Sequence, residues 1–135
     1  MQFHTVEKIG GTSMSDYVAV RDNIILKPVH NESIYNRVFV VSAYGGITNL
    51  LLEHKKNGTS GVYAEFANSL NDDSWMEAME KLKQEIFSIN QQLFKDKKTL
   101  NKANEFIGER LDDAERVLAD LQRLCQHGHF ALDMH

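Results

Sequence analysis

The sequence predicts an α/β chain in two parts, a βαβα unit over residues 1–57 and a helical segment over residues 58–135. Three observations predict this organisation. The run from Val38 to Val41 is typical of a strand that lies in a parallel sheet and is covered by helices on both faces. A glycine pair follows each predicted strand, at residues 10–11 and 45–46, where a turn would lead into a helix. Beyond the first part, apolar residues recur at the helical intervals of three and four.

The βαβα unit repeats one strand–turn–helix element. The first strand covers residues 3–9. The helix after its glycine turn starts at Ser13 or Ser15 as the N-terminal cap and ends before Pro28, because proline cannot continue a helix. The second helix starts at Thr48, after the second glycine turn. A polar, glycine-bearing loop over residues 55–61 then marks the predicted boundary between the two parts.

The helical part carries two long apolar seams of matching spacing. One runs from Trp75 to Leu93 and the other from Ile107 to Cys125, and the polar connection Lys95 to Lys98 lies between them. Two amphipathic helices joined by a short loop predict an antiparallel hairpin. Its seams either pack into the core or form a dimerisation surface. The predicted N-terminal caps are Asp72 or Asp73 for the first helix and Thr99 or Asn101 for the second.

The composition excludes several classes of protein. The chain carries 15 Lys and Arg against 19 Asp and Glu, and its basic residues are scattered, so we expect no nucleic-acid partner. No stretch approaches the roughly 20 apolar residues of a membrane span, and the first residues do not resemble a secretory signal. We therefore expect no membrane association and a cytoplasmic location. Irregular spacing disfavours a zinc site formed by Cys125, His127, His129 and His135, and we assign no metal ligand.

The first glycine turn combines groups that bind phosphate. In a parallel sheet the ligand lies at the carboxyl ends of the strands, where the N-termini of the following helices attract anions. Gly10 and Gly11 let the backbone approach a phosphate oxygen, and Thr12 and Ser13 add hydroxyl donors. Lys8 would bring an ammonium group to the same phosphates. The alternative is an ordinary turn whose glycines and hydroxyls only cap a helix.

The second glycine turn has a similar composition. Ser42, Gly45 and Gly46 precede Thr48 and Asn49 at the start of the second predicted helix. Since both turns follow strands of one parallel sheet, we expect them to converge at one edge of that sheet. Two ordinary βα turns are the alternative here as well.

These two turns carry a resemblance to a known family. The segment Val6-Glu7-Lys8-Ile9-Gly10-Gly11-Thr12-Ser13-Met14 resembles the aspartokinase signature Lys-Phe-Gly-Gly-Thr-Ser, with isoleucine in place of the usual phenylalanine. The segment Val40-Val41-Ser42-Ala43-Tyr44-Gly45-Gly46-Ile47-Thr48-Asn49 is similar to the family's second block, Val-Val-Ser-Ala followed by Gly-Ile-Thr-Asn. Residues 51–56 and 61–63 resemble the branch of aspartokinases that is linked to ectoine synthesis. The resemblance covers most of residues 3–66 and, more loosely, the helical remainder.

The resemblance implies an activity and a set of site residues. Aspartokinases transfer the γ-phosphoryl group of ATP to the β-carboxylate of L-aspartate, so the resemblance implies these two substrates, Mg²⁺ and a homo-oligomer. Lys8 would be catalytic, because phosphoryl transfer depends on positioning and on stabilisation of the spread negative charge. The residues implied to bind the ATP phosphates are Lys8, Gly10, Gly11, Thr12 and Ser13. The residues implied to bind aspartate are Ser42, Gly45 and Thr48.

The chain differs from that family in its extent. Aspartokinases are several-fold longer, and their Gly-Arg-Gly-Gly-Ser-Asp segment, their adenine-binding region and their regulatory ACT domains have no counterpart here. We therefore expect the N-terminal βαβα part of a three-layer amino-acid kinase fold with an added long antiparallel helical hairpin, inactive by itself. The pair Gly108-Glu109 is composed like the acidic motif of the aspartate pocket, but it lies inside the second seam, so we expect a solvated helix residue.

Other interpretations of the sequence remain open. A different amino-acid kinase, acting on acetylglutamate or carbamate, would share much of this pattern. A non-catalytic helical interaction or dimerisation module would use the glycine turns only as helix caps. Two strands cannot bury both faces of a sheet, so we also expect self-association or exposed apolar surface around Val38 to Val41.

Overall fold

The computed structural model describes residues 4–27, 35–54, 56–68 and 70–128. The chain divides into two compact units, Met1–Gly46 and Ile47–His135. This division by contacts falls ahead of the loop over residues 55–61, and the predicted boundary between the kinase part and the helical segment stays a prediction. The second unit begins directly after the second glycine turn, so the helix that follows this turn belongs to it.

The first unit contains two parallel strands with short helical segments between them. These elements are β1 (Thr5–Ile9), α1 (Gly11–Met14), α2 (Tyr17–Val20), a π-helical turn (Arg21–Ile25) and β2 (Arg37–Val41). Thr5 pairs with Arg37 and Ile9 with Val41 at the two ends of the ladder, which confirms the predicted parallel pairing. The helix predicted from Ser13 or Ser15 corresponds to α2 and the π-helical turn that continues it, preceded by the separate α1. Its N-terminal cap is Asp16 in place of either serine, because the Asp16 carboxylate accepts the N–H of Ala19. Pro28 itself lies outside the described residues.

The two faces of this sheet differ in their environment. Side chains alternate between the faces of a strand, and Ile9 of β1 is buried against Met14 and Val20, with Phe39 of β2 packed beside them. On the opposite face Val38 and Val40 are about half exposed, and the expectation of helices on both faces is therefore wrong for the described residues. The expected exposed apolar surface on this strand is confirmed, since a single helical layer can cover only one face of a two-stranded sheet.

The second unit is helical. It contains α3 (Ile47–Leu51), α4 (Val62–Asn68), α5 (Ser74–Leu93) and α6 (Lys97–Gly128). α3 packs against α4 and α5, and α4 was not predicted, since it is too short to show a helical period. None of the described helices is both long enough and apolar enough to span a lipid bilayer.

The predicted hairpin is confirmed by contacts between α5 and α6. Near the start of α5 the Trp75 indole N–H donates to Gln122, near the end of α6. Further along, the Lys83 ammonium donates to Asp112 at 2.6 Å, and the Asn90 amide donates to Asn104 at 2.9 Å. The successive contacts run forward along α5 and backward along α6. The two helices are therefore antiparallel.

The two seams are covered to different extents. Along α5, Trp75, Met79, Leu82 and Ile86 are all buried, which is the core role that their spacing predicts. Along α6, no seam residue is fully buried, and Ala114 and Leu121 are exposed. The second seam is therefore only partly used in the packing of this unit.

The structure tests the predicted start of α6 and the expected exposure of Glu109. Its N-terminus is held by Asp96, whose carboxylate accepts both the N–H and the hydroxyl of Thr99 at 2.8 Å. The helix therefore begins earlier than either predicted cap, Thr99 or Asn101. Glu109 is an exposed helix residue, as expected.

Candidate functional site

The carboxyl ends of β1 and β2 lie side by side in the first unit. The N–H of Ser42, one residue past β2, donates to the carbonyl of Ile9, the last residue of β1, at 3.1 Å. Both glycine turns of this unit therefore leave the same edge of the sheet. This is the edge at which parallel sheets place their ligands.

The first turn presents a row of backbone donors. Gly10 has an extended backbone (φ −77°, ψ 167°) and its carbonyl accepts the N–H of Met14 at 3.0 Å, so a helical turn starts directly after the strand. The N–H groups of Gly11, Thr12 and Ser13 fall in the first turn, where a helix supplies no acceptor, and Gly10 has no side chain to cap them. The side chains of Thr12 and Ser13 are exposed. α1 is too short for a strong dipole, so these individual donors would supply most of the attraction for an anion.

Lys8 lies just before this turn. It is exposed, and it alternates with the buried Ile9, so it belongs to the uncovered face of the sheet. Within the described part of the chain its ammonium group has no ion-pair partner. The charge next to the turn is therefore not compensated by a carboxylate of the described residues.

The second turn touches the first. A Cβ added to Gly45 would lie 1.9 Å from Oγ and 3.2 Å from Cβ of Ser15, and 3.5 Å from the carbonyl oxygen of Gly11. A Cβ added to Gly11 would in turn lie 3.5 Å from Oγ of Ser42. The next residue, Gly46, has a left-handed backbone (φ +86°) that glycine adopts without strain. The two turns are therefore in contact, and a side chain at Gly45 would require the Ser15 side chain to move.

Replacement of Gly45 by alanine should destabilise the first unit by about 1–3 kcal/mol, the usual cost of overpacking. A Ser15→Gly change in the same chain should recover most of this loss, because it removes both Ser15 atoms that the new methyl group would meet. Urea unfolding, followed by the NMR signals of amides in β1 and β2, measures the effect. Gly10→Ala is the matched control, since a Cβ there meets no atom within 4 Å. Equal losses for Gly10→Ala and Gly45→Ala would contradict the contact.

Thr48 belongs to the second unit. It is the second residue of α3, it is exposed, and it borders an open cavity whose lining is almost entirely apolar, including Leu51, Leu52 and Val62. An apolar lining would not recognise a dicarboxylate, so this cavity is not an aspartate pocket. The role of Thr48 in binding aspartate stays a prediction.

An ion pair beside the candidate site was not predicted. Arg37 donates to both carboxylate oxygens of Glu7 at 2.6 Å, and one of its Nη atoms donates to the carbonyls of Ile24 and Lys27 at 2.8 and 3.1 Å. Its guanidinium also lies 4.6 Å from the centre of the Phe39 ring. The Arg37 side chain is only 5% exposed, so it ties β1, β2 and the end of the π-helical turn together. Glu7 is the residue immediately before Lys8, and this pair thereby fixes the strand that carries the candidate catalytic lysine.

The stability of the first unit should depend on pH through Glu7. Hydrogen bonds from Arg37 hold the pKa of this carboxyl group below its usual value, although partial burial opposes them. Its contribution is therefore fully present above the ordinary glutamate pKa of about 4.3 and is lost as the pH falls through the lower folded-state value. Glu7→Gln should lower stability at neutral pH and flatten the decline in acid.

Urea unfolding of both proteins between about pH 7 and about pH 3 tests this dependence on pH. The pKa values of Asp22 and Asp96 are lowered too, by Arg21 and by Thr99. Only the difference between the wild type and Glu7→Gln therefore reports on Glu7. Parallel pH curves for the two proteins would show that the Glu7–Arg37 pair does not stabilise the fold.

One known protein is similar to this chain over nearly the whole length of the chain. The chain is 50% identical, over 132 residues or 98% of its length, to aspartate kinase Ask_Ect of Stutzerimonas stutzeri (strain A1501). It spans 28% of the length of that protein. No protein-family model matches the chain, and no solved structure matches it. Identity at half of the positions over nearly the whole chain confirms the resemblance drawn from the two glycine turns, and the chain is similar to a segment of that aspartate kinase.

Proposed function

We propose that this chain forms part of an aspartate kinase, which transfers the γ-phosphoryl group of ATP to the β-carboxylate of L-aspartate. The observation that carries the proposal is the 50% identity over 98% of the chain to a protein named as an aspartate kinase. The contact between the two glycine turns adds geometric support, because both turns of the signature lie at one edge of a parallel sheet. The amino-acid kinase fold, the link to ectoine synthesis and a cytoplasmic location belong to the same proposal.

The chain's own groups have distinct roles in this reaction. The N–H groups of Gly11, Thr12 and Ser13, with the hydroxyls of Thr12 and Ser13, bind phosphate oxygens of ATP. The Lys8 ammonium stabilises the negative charge that spreads over the transferring phosphoryl group. Ser42 and Gly45, in the adjoining turn, orient the aspartate carboxylate towards that group, and the resemblance assigns Thr48 to the binding of aspartate as well. These groups act by position, and no covalent intermediate with the protein is required.

The ATP phosphates are the proposed ligands of Mg²⁺ in this reaction. Mg²⁺ binds carboxylate and phosphate oxygens. Among the described residues, no group of three or more His, Cys, Asp and Glu side chains is arranged to hold a metal ion. The carboxylate of Asp16, which follows the first turn, is engaged as a helix cap. The described residues by themselves do not form a magnesium site, so we propose that the ion accompanies the ATP phosphates and assign no step to it.

A segment exchange tests the proposed function. The matching segment of the Stutzerimonas stutzeri aspartate kinase is replaced by this chain, and aspartate-dependent release of ADP from ATP is measured. We expect turnover within about tenfold of the unmodified kinase, a change of about 1.4 kcal/mol in the activation barrier. The same kinase without the segment is the negative control. A folded chimera that releases no ADP with aspartate would overturn the proposal.

The same chimera separates the alternative activities. Acetylglutamate and carbamate are offered as phosphoryl acceptors beside aspartate. Preference for either one would replace aspartate as the assigned substrate while retaining the phosphate site. If this chain were only a helical interaction module, the chimera would fold and associate but would show no turnover with any of the three acceptors.

A further inference from the structure

Ser15, which has no part in the reaction described above, lies where the two glycine turns meet. Its hydroxyl donates to the carbonyl of Gly11, in the first turn, at 3.3 Å. The same oxygen atom is in van der Waals contact with Gly45, in the second turn, because a Cβ built on Gly45 would lie only 1.9 Å from it. One side chain therefore contacts the backbone of both turns.

The carbonyl of Gly11 is approached from both sides of this contact. The N–H of Ser15 donates to the carbonyl of Thr12 at 3.3 Å, one residue short of Gly11, and the Ser15 hydroxyl serves the Gly11 carbonyl instead. Gly45 approaches the same oxygen, since a Cβ built on it would be 3.5 Å away. The position of the Gly11 carbonyl is thus tied to Ser15 and to the second turn together.

The orientation of this carbonyl also sets the direction of a proposed phosphate donor. The carbonyl of Gly11 and the N–H of Thr12 belong to one planar peptide unit, and in a trans peptide the two groups point in opposite directions. A hydroxyl that holds the carbonyl therefore also orients the N–H on the other side of the unit. The N–H of Thr12 is one of the three backbone donors that we assign to the phosphate oxygens of ATP.

The second turn meets the first at the same residue. Oγ of Ser42, which we assign to the binding of aspartate, would lie 3.5 Å from a Cβ built on Gly11. The groups proposed to bind the two substrates thus adjoin each other at Gly11. Ser15 acts at this point, where the separation of the two sets of groups is determined.

We propose that Ser15 is a positioning residue for phosphoryl transfer. Its hydroxyl holds the Gly11–Thr12 peptide unit against Gly45, and this arrangement aligns the phosphates of ATP with the carboxylate of aspartate. The proposal rests on the proposed kinase function, and it requires no contact between Ser15 and either substrate. Transfer depends on the placement of both reactants, so a displacement of about 1 Å between the turns can cost about a hundredfold in rate.

Steady-state kinetics of the chimeric kinase test this role. Ser15→Ala removes the hydroxyl but leaves the binding groups of both turns in place. We expect kcat to fall about tenfold to a hundredfold, while the KM values for ATP and aspartate change by less than about threefold. Ser15→Thr keeps the hydroxyl at this exposed position and should restore most of kcat. Ser88→Ala, at an exposed serine of α5, is the matched control and should change neither constant.

NMR spectra of the chain alone separate the contact from the activity. Ser15→Ala should shift the amide signals of Thr12 and Gly45, whereas Ser88→Ala should shift neither. Because the lost hydrogen bond is exposed, the urea midpoint should stay close to that of the wild type. A smaller kcat at an unchanged midpoint cannot come from unfolding, so it would support a positioning role.

The outcomes also distinguish this proposal from the kinase assignment. A folded chimera with Ser15 intact and no turnover would overturn both. In an active chimera, three results would overturn the role of Ser15 alone: a kcat of Ser15→Ala equal to that of Ser88→Ala, a loss confined to KM, or a Ser15→Thr variant no faster than Ser15→Ala. Unshifted amide signals of Thr12 and Gly45 in Ser15→Ala would overturn the contact itself.

Discussion

Replacement of Lys8 by alanine should lower the aspartate-dependent turnover of the chimeric kinase by about a hundredfold to a thousandfold, the usual loss when one preorganised charge-stabilising group is removed. Lys8 is exposed and has no ion-pair partner among the described residues, so the fold does not depend on it. We therefore expect the free energy of unfolding to change by less than about 0.5 kcal/mol. A large kinetic effect with a negligible effect on stability identifies a catalytic role.

The controls separate charge from position. Lys27→Ala removes another exposed lysine from the same unit and should leave turnover unchanged. Lys8→Arg keeps the charge but changes the shape of the cation, so it should recover only part of the activity. Steady-state kinetics should show the loss mainly in kcat, because the interaction strengthens as charge develops in the transition state. Turnover of Lys8→Ala equal to that of Lys27→Ala would remove Lys8 from the mechanism.

Patterns of neighbouring residues in the sequence predicted the elements that those same residues form. The β-branched run from Val38 to Val41 and the glycine turn after it indicated a strand and its end, and the structure has β2 there, parallel to β1. The seam from Trp75 to Leu93 indicated a helix with one buried face, and α5 has that face. In each case the residues that produce the pattern also form the structure, so a short window of sequence contains the relevant information.

Contacts between distant residues could not be predicted in the same way. Glu7 and Arg37 are separated by 30 positions, and each alone has the composition of an ordinary exposed strand residue. In the sequence Ser15 is a candidate helix cap, but in the structure its hydroxyl approaches the position that a side chain on Gly45 would occupy. Helical periodicity likewise shows that α6 has an apolar stripe, but it does not show that α5 covers only part of that stripe.

The residues of the candidate site could therefore be predicted from the sequence. Their arrangement in space could be predicted only in part. Both glycine turns could be recognised, and their convergence follows from the parallel order of the strands. The unit boundary at Gly46 could not be recognised, because Ile47 looks the same whether it packs on a sheet or on other helices. In the structure α3 packs against α4 and α5, which are later in the chain.

Replacement of Trp75 by alanine should destabilise the second unit by about 3–5 kcal/mol, the cost of deleting a large buried aromatic side chain. Trp75 is fully buried and meets the Phe66 ring edge-on, with the ring centres 5.8 Å apart. Its indole N–H donates to Gln122 at 3.3 Å, and the amide of Gln122 donates in turn to the carbonyl of Asp72 at 2.8 Å. The substitution thus removes the centre of a contact that joins α4, α5 and α6.

The size and the origin of this loss can be measured together. Urea unfolding is followed by far-ultraviolet circular dichroism, since the substitution removes the only tryptophan of the chain. Trp75→Phe keeps an aromatic ring but leaves the Gln122 carbonyl without its donor, so its loss should fall between those of the wild type and Trp75→Ala. Phe106→Ala, at an exposed position of α6, should change stability by less than about 0.5 kcal/mol. Because most domains are stable by only about 5–15 kcal/mol, the alanine variant should unfold at a much lower urea concentration, and a midpoint equal to that of Phe106→Ala would mean that Trp75 is not central to this core.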